Sequence, residues 1–462
     1  MIKVRIQQAD KSTMTSVPTT IESPRRLRVG AGPDRVGLTM LTMLSVGNVV
    51  LALFMALGVF ARFHDGPPKG KTVIDFATYY TGGRMAGVDR GARMYDLVAQ
   101  AKDQTALAGV SFDPQAKKLQ VVGFVNPPTT ALFLRPLSLL PLTSAYRLWM
   151  ILEAALLVAA GWVALGIRRQ FPKRAFDCFI DESKPMHKNR RDTGFAVLAM
   201  VAAFPVGAAL LQGSLAPMVA LGFAMFAKGV IEKSSQISHR FSDVLVAGGL
   251  LLVGMKPQYV ILPLVVLLGL RRWKAIGFTA IAQAILMALS ALIVRPSAWI
   301  DYLKLLGIYN REIDTYGSGT SSMINIRGIL AYTLGAGRAS TINVVSTAAL
   351  LAAAIGIGFL AHRARNAASK TALVIAMLLA GMIASPHAHS HDWTVALVAL
   401  ALAWFLPGMT SGKRLVLALV PLVSYLSLGG FDSLIGKLPV ALAFGGLIVA
   451  IRFMRADETY LS

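Results

Sequence analysis

The sequence predicts an all-α fold: a polytopic transmembrane helical bundle of about twelve spans, with a helical first external loop. Three observations carry this. The 462 residues are 55% hydrophobic and only 15% charged, with a mean hydropathy of +0.60, far from the composition of soluble domains. Apolar runs recur near the roughly 20 residues that a helix rising about 1.5 Å per residue needs to cross a hydrocarbon core of about 30 Å. The 46 Lys and Arg against 23 Asp and Glu, a net charge of +23, are concentrated between those runs, which fits membrane topology better than nucleic-acid binding.

Twelve runs stand out, near 37–60, 144–167, 194–212, 215–231, 242–255, 258–270, 275–294, 338–361, 371–385, 392–407, 414–428 and 437–453. Those at 242–255, 258–270, 371–385 and 414–428 are short for a perpendicular crossing, so the count is good to about two. No internal sequence repeat is evident. Residues 1–36 read as a basic, disordered cytoplasmic tail, 37–453 as the membrane domain and 454–462 as a second tail. The tail before the first run is too long and polar for a signal peptide. Orientation follows the Lys/Arg bias of short loops. The segment Arg168 to Asp192 is the most basic connection, and Arg271, Arg272, Lys274, then His362, Arg363, Arg365, Lys370, then Lys413 and Arg414 fall on the same side. That side is expected to be cytoplasmic, with both termini. The opposite side receives two long loops, 61–143 and 295–337. The single cysteine, Cys178, lies in a basic cytoplasmic segment and reads as a bystander thiol.

The polar residues that could carry chemistry gather in the external loops. Asp75 opens the run DFATYYTGGRMA, about fifteen residues beyond the first apolar run. A carboxylate there suits a general base acting on an acceptor hydroxyl, and equally suits a helix cap. Helical spacing places Phe76, Tyr79, Tyr80 and Arg84 around one side of that run. FVNPPTTALFLRPLSLLPL, from Phe124, is interrupted by prolines and reads as a partly re-entrant segment or as an amphipathic surface helix. In GMKPQY, Lys256 and Gln258 flank Pro257 between two apolar runs; Lys256 suits a phosphate-binding point charge or a snorkelling lysine at a helix end. SPHAHSHDW sets His387, His389, His391 and Asp392 between two spans. Alternating histidines could hold a metal, but the spacing is no zinc signature and no second ligand cluster accompanies it, so contact with phosphate or sugar is the more economical reading. Arg311, Asn325 and Arg327 follow or flank a Gly/Ser-rich stretch that orders around an acceptor or simply connects spans. Walker A, dinucleotide-binding, G-x-S-x-G and H-E-x-x-H patterns are all missing.

Taken in order, Asp75 to Asp96, VNPP from Val125 to Pro128, MKPQYVILPL from Met255 and SPHAHSHDW resemble glycosyltransferase family 87, whose members are GT-C-type membrane enzymes. The resemblance implies that Asp75 is the catalytic base. It implies that Lys256, Gln258, His387, His389, His391, Asp392, Arg84, Tyr79, Tyr80, Asn126 and Arg327 surround the substrates. The donor would be a polyprenyl-phosphate hexose, with mannose as the default sugar, and a lipid or glycan would accept it with inversion at the outer face of a bacterial plasma membrane. No metal, nucleotide cofactor or nucleic-acid partner is expected. His391 stands where the family frequently has a tyrosine. The competing reading is a multi-span transporter, or a lipid-linked glycan flippase or polymerase. Lys256→Ala is expected to weaken donor use far more than folding.

Overall fold

The computed structural model describes residues 35–67, 75–109, 122–167, 187–232, 239–311, 319–406, 411–425, 433 and 435–459. The expectations for the N-terminal tail, for Cys178 and most of its basic segment, for the stretch 312–318 and for the last three residues fall outside them.

Over its described residues, each of the twelve apolar runs falls on one helix or on two consecutive ones, and the described residues contain no strand. The helices are α1 (Arg35–Asp65), α2 (Asp75–Ala86), α3 (Leu97–Ala108), α4 (Pro128–Leu137), α5 (Leu142–Gly166), α6 (His187–Val201), α7 (Phe204–Gln212), α8 (Ala216–Ile231) and α9 (His239–Val253). They continue as α10 (Ile261–Gly269), α11 (Trp273–Ile293), α12 (Ala298–Arg311), α13 (Ile326–Leu334), α14 (Ala339–Arg363), α15 (Ala367–Ala384), α16 (Ala396–Trp404), α17 (Ser411–Ser424) and α18 (Leu438–Thr459). Their ends follow local chemistry. The Asp96 carboxylate accepts from Val98 and Ala99 at the start of α3, and Asn366 and Ser369 form a reciprocal capping box on α15. Pro128, Pro205 and Pro217 occupy first-turn positions whose N–H would have no helical partner.

Among the described residues, six helices are long and apolar enough to cross a membrane: Thr42–Asp65, Leu142–Gly166, Trp273–Ile293, Ala339–Arg363, Ala367–Ala384 and Ile435–Met454. The pair α6 and α7, bent by 47°, makes a seventh if it is one span. Twelve full crossings are therefore more than length and composition yield. Proline and 3-10 turns cut the run 258–270 into Pro257–Tyr259 and α10, and the run 392–407 into Ser390–Val395 and α16. The run 371–385 moves the other way, extended by its cap to 18 residues. The outer helices bear large apolar side chains with nothing over them, such as Val158 74%, Trp162 75%, Leu292 76% and Ile355 75% exposed. Surface of that kind on this scale calls for lipid as solvent. The chain is a membrane protein.

Two clusters organise the interior. An aliphatic one joins α8, α9, α15 and α16 through Val219, Phe226, Leu250, Leu373, Val398 and Leu402. Helix α8, apolar all round, runs through its middle, as such a helix must. It meets α9 at glycines: a Cβ on Gly222 would come within 2.6 Å of the Gly249 carbonyl oxygen. The second cluster is aromatic and packs α2 and α4 on α5 and α12 through Phe76, Tyr79, Leu134, Tyr146, Trp149 and Tyr302. Here Gly82 and Gly83 let α2 lie directly on Phe124 and on the Leu134 backbone, where added Cβ atoms would sit 2.6 and 2.7 Å away. The proline-interrupted segment thus becomes a helix clamped under α2.

Candidate active site

Four residues from three distant segments meet where the two clusters adjoin. Asp75 is the first residue of α2, where the positive end of the helix dipole favours a carboxylate. Among the described residues no backbone N–H of that first turn donates to it. Its Oδ2 instead lies 3.1 Å from Nε2 of His391, so capping does not describe its role. His391 Nε2 is also 3.7 Å from Asp392 Oδ2, and Asp392 Oδ1 pairs with the Lys256 ammonium. Asp75 and His391 side chains retain 22% and 10% exposure, while Lys256 and Asp392 retain 7% and 1%. Chemistry at this site therefore has access to the first pair, and the second pair lies beneath it.

Local turns hold these groups in place. The 3-10 turn Ser390–Val395 begins at His389, whose backbone N–H donates to Asp392 Oδ2 at 3.0 Å. Thr394 donates to the carbonyls of His391 and Pro205 at 2.7 and 2.8 Å, tying the turn to α7. Lys256 sits between α9 and the turn Pro257–Tyr259 because Pro257 cannot continue α9's hydrogen bonding. Asn126 of the VNPP segment donates from its amide to the Met255 carbonyl at 3.0 Å, fixing the residue before Lys256. Tyr95 donates to the Asn126 carbonyl at 2.8 Å.

Burial alone would raise the Asp392 carboxyl, but Lys256 first, then His391 and His387, outweigh it and hold it well below the usual carboxylate range. His389 is pushed down to about 4 by burial and then by His391. His387 is pushed well below its ordinary value by burial and then by His389. Both are neutral rings at neutral pH, packed in sequence: His387 edge-on to His389 at 4.7 Å and His389 stacked toward His391 at 5.9 Å. Tyr79 keeps its phenolic proton through burial, reinforced by the negative charges of Asp75 and Asp392.

Several sequence-nominated residues lie elsewhere or act indirectly. Arg84 is nine positions along α2 from Asp75, about 13.5 Å of helix rise, and pairs with Asp103 at 3.3 Å. Tyr80 donates to the Leu140 carbonyl at 2.6 Å and anchors α2 to the start of α5. Gln258 lines a narrow apolar slot with Phe223, Leu262 and Met377. Arg327 donates to the Pro386 carbonyl at 3.1 Å, and Asn325 to the Ser385 carbonyl at 2.9 Å, so both brace the histidine segment from α13. Arg311 ends α12 at an exposed position. Lys256 is a paired, buried cation, neither snorkelling nor unopposed, because a charge at that depth needs a counter-charge. Among the described residues no three His, Cys, Asp or Glu side chains converge to hold a metal ion.

One residue escaped the sequence reading. Glu153 on α5 is fully buried beside Trp149 and interacts electrostatically with Asp75 and Lys256. The signal was available: it is the only acidic residue within the apolar run 144–167, and an ionisable group in a span is functional by default.

An all-helical membrane protein with a carboxylate–histidine pair opening from a buried ion pair defines the class: a multi-span membrane protein with a polar site at one end of its helices. The model of glycosyltransferase family 87 matches residues 124–386. The match spans more than half of the chain, and the chain belongs to that family of membrane glycosyltransferases. It includes Asn126, Lys256, Gln258 and Arg327, whereas Asp75 precedes it and His387 to Asp392 follow it. No curated protein and no solved structure matches.

Proposed function

We propose that the chain transfers a hexosyl group, mannose by default, from a polyprenyl-phosphate donor to a hydroxyl of a lipid or glycan acceptor at the outer face of a bacterial plasma membrane. The observation that carries this reading is the 3.1 Å contact between Asp75 and His391 above the Lys256–Asp392 pair. Asp75 accepts the acceptor's hydroxyl proton as that oxygen attacks the anomeric carbon. The bond from that carbon to the phosphate oxygen breaks from the opposite face, the phosphate takes the bonding electrons, and the configuration inverts. The departing phosphate lies above the Lys256 ammonium, which is shared with Asp392, while His391 at the opening holds Asp75 in place. This reading needs neither a nucleotide nor a metal. Family membership favours it over transport or flipping.

The test is transfer from synthetic polyprenyl-phosphate mannose by purified protein. Asp75→Asn keeps the shape of the side chain and removes its basicity. Turnover is expected to fall by roughly 10²–10⁴-fold with unchanged membrane yield. Wild-type turnover by this variant would remove Asp75 as the base.

A further inference from the structure

A cavity of about 390 Å³ lies far from Asp75, lined by Gly269, Arg271, Arg272, His362, Arg365 and Lys370 with their small neighbours. It stands at the N-terminal end of α15, whose C-terminal end leads into the SPHAHSHDW segment. Eighteen residues of helix separate the two, about 27 Å at 1.5 Å per residue. That is close to the thickness of a hydrocarbon core, so the cavity opens at the opposite membrane face from the site.

Among the described residues, no acidic one lines the cavity. Arg272 is committed within the fold, donating to Asp243 at 2.9 Å and to the Gly229 carbonyl at 3.2 Å. Arg271 and Arg365 are exposed and leave a concave surface of positive charge. Arg271 is held at a φ of 55°, in the left-handed region that disfavours a residue with a Cβ. Two helices begin at this end, α11 and α15, and two end there, α10 and α14, so their dipoles offset and the field comes from the basic side chains. Topological bias alone explains basic loops, but it requires no concavity. Apolar residues continue outward from the rim: Leu268 is 48%, Trp273 62% and Phe359 56% exposed. A cationic cup bordered by lipid-facing side chains matches an amphiphile with an anionic head.

We propose that this cavity binds the phosphate of an anionic phospholipid headgroup, with the acyl chains lying against Leu268, Trp273 and Phe359. The site is independent of sugar transfer and stands whether or not Asp75 is the base.

Full-length protein purified in detergent is loaded with phosphatidylglycerol, cardiolipin, phosphatidylcholine or inorganic phosphate and examined by native mass spectrometry. Wild type is expected to retain the two anionic lipids over phosphatidylcholine. The variant Arg271→Gln, Arg365→Gln, Lys370→Gln is expected to retain roughly ten-fold less or lower, and Arg271→Gln alone to fall between, which keeps the test available if the triple variant folds poorly. Lys274→Gln removes a nearby exposed charge outside the cavity and is expected to behave as wild type. Equal retention of phosphatidylcholine, undiminished binding by the variants, or an equal loss in Lys274→Gln would overturn the site. Binding of inorganic phosphate that ignores the lipids would overturn the lipid assignment and leave a small-anion site.

Discussion

Lys256 and Asp392, 136 positions apart in sequence, form an ion pair that is almost wholly closed to solvent. The pair joins the end of α9 to the turn after α15. Removing one member leaves the other charged and buried, a penalty of roughly 3–5 kcal/mol.

The first prediction follows from that relationship. Lys256→Met and Asp392→Asn are each expected to lower folded yield and thermal midpoint. The double variant recovers most of the loss, because neither charge is then left alone. Fluorescence-detected size exclusion after heating reads this. Additive losses would show that the pair is not coupled. Lys256→Ala is thus expected to impair folding as well as donor use, in contrast to the sequence expectation.

His391 touches Asp75 at 3.1 Å, and in the proposed reaction it acts through that carboxylate, so the two form one unit. His391→Asn is expected to lower kcat by about 10–100-fold, less than Asp75→Asn does. Combining the two substitutions adds little to Asp75→Asn alone. Multiplicative losses in the double variant would separate their roles.

Acid sensitivity has a defined sign. An unfolded histidine takes its proton near pH 6.5, whereas His389 in the fold waits until about 4. Between those values the unfolded chain binds more protons, so stability falls as pH drops through that window and is constant above it. His389→Gln is expected to flatten the fall in thermal midpoint between pH 6.5 and 4. An unaltered slope would mean that another group dominates.

Packing of α2 on α4 gives a fourth test, since a Cβ at position 83 meets the Leu134 carbonyl oxygen at 2.7 Å. Gly83→Ala is expected to destabilise by about 1–3 kcal/mol, since backbone yields little. Gly58→Ala has nothing within 4 Å of its new Cβ and is expected to be neutral or slightly stabilising through helix propensity. Thermal midpoints of the two variants, measured side by side, decide it.

Much of this protein is written in its local sequence. Apolar period, charge placement, and proline and cap residues determined that it is helical, that it lives in lipid and where its apolar helices lie. These are short-range effects that each segment carries alone. Asp75, Lys256, His391 and Asp392 were legible as polar residues stranded beside apolar runs. Their mutual geometry was not, since a contact between residues 75 and 391 depends on how α2, α7, α9 and α15 pack. Tertiary structure alone decided that Lys256 is neutralised by Asp392, that Arg84 turns to Asp103, and that Arg271, Arg365 and Lys370 enclose one cavity. A charge chooses its partner by distance in space, and only the folded chain sets that distance.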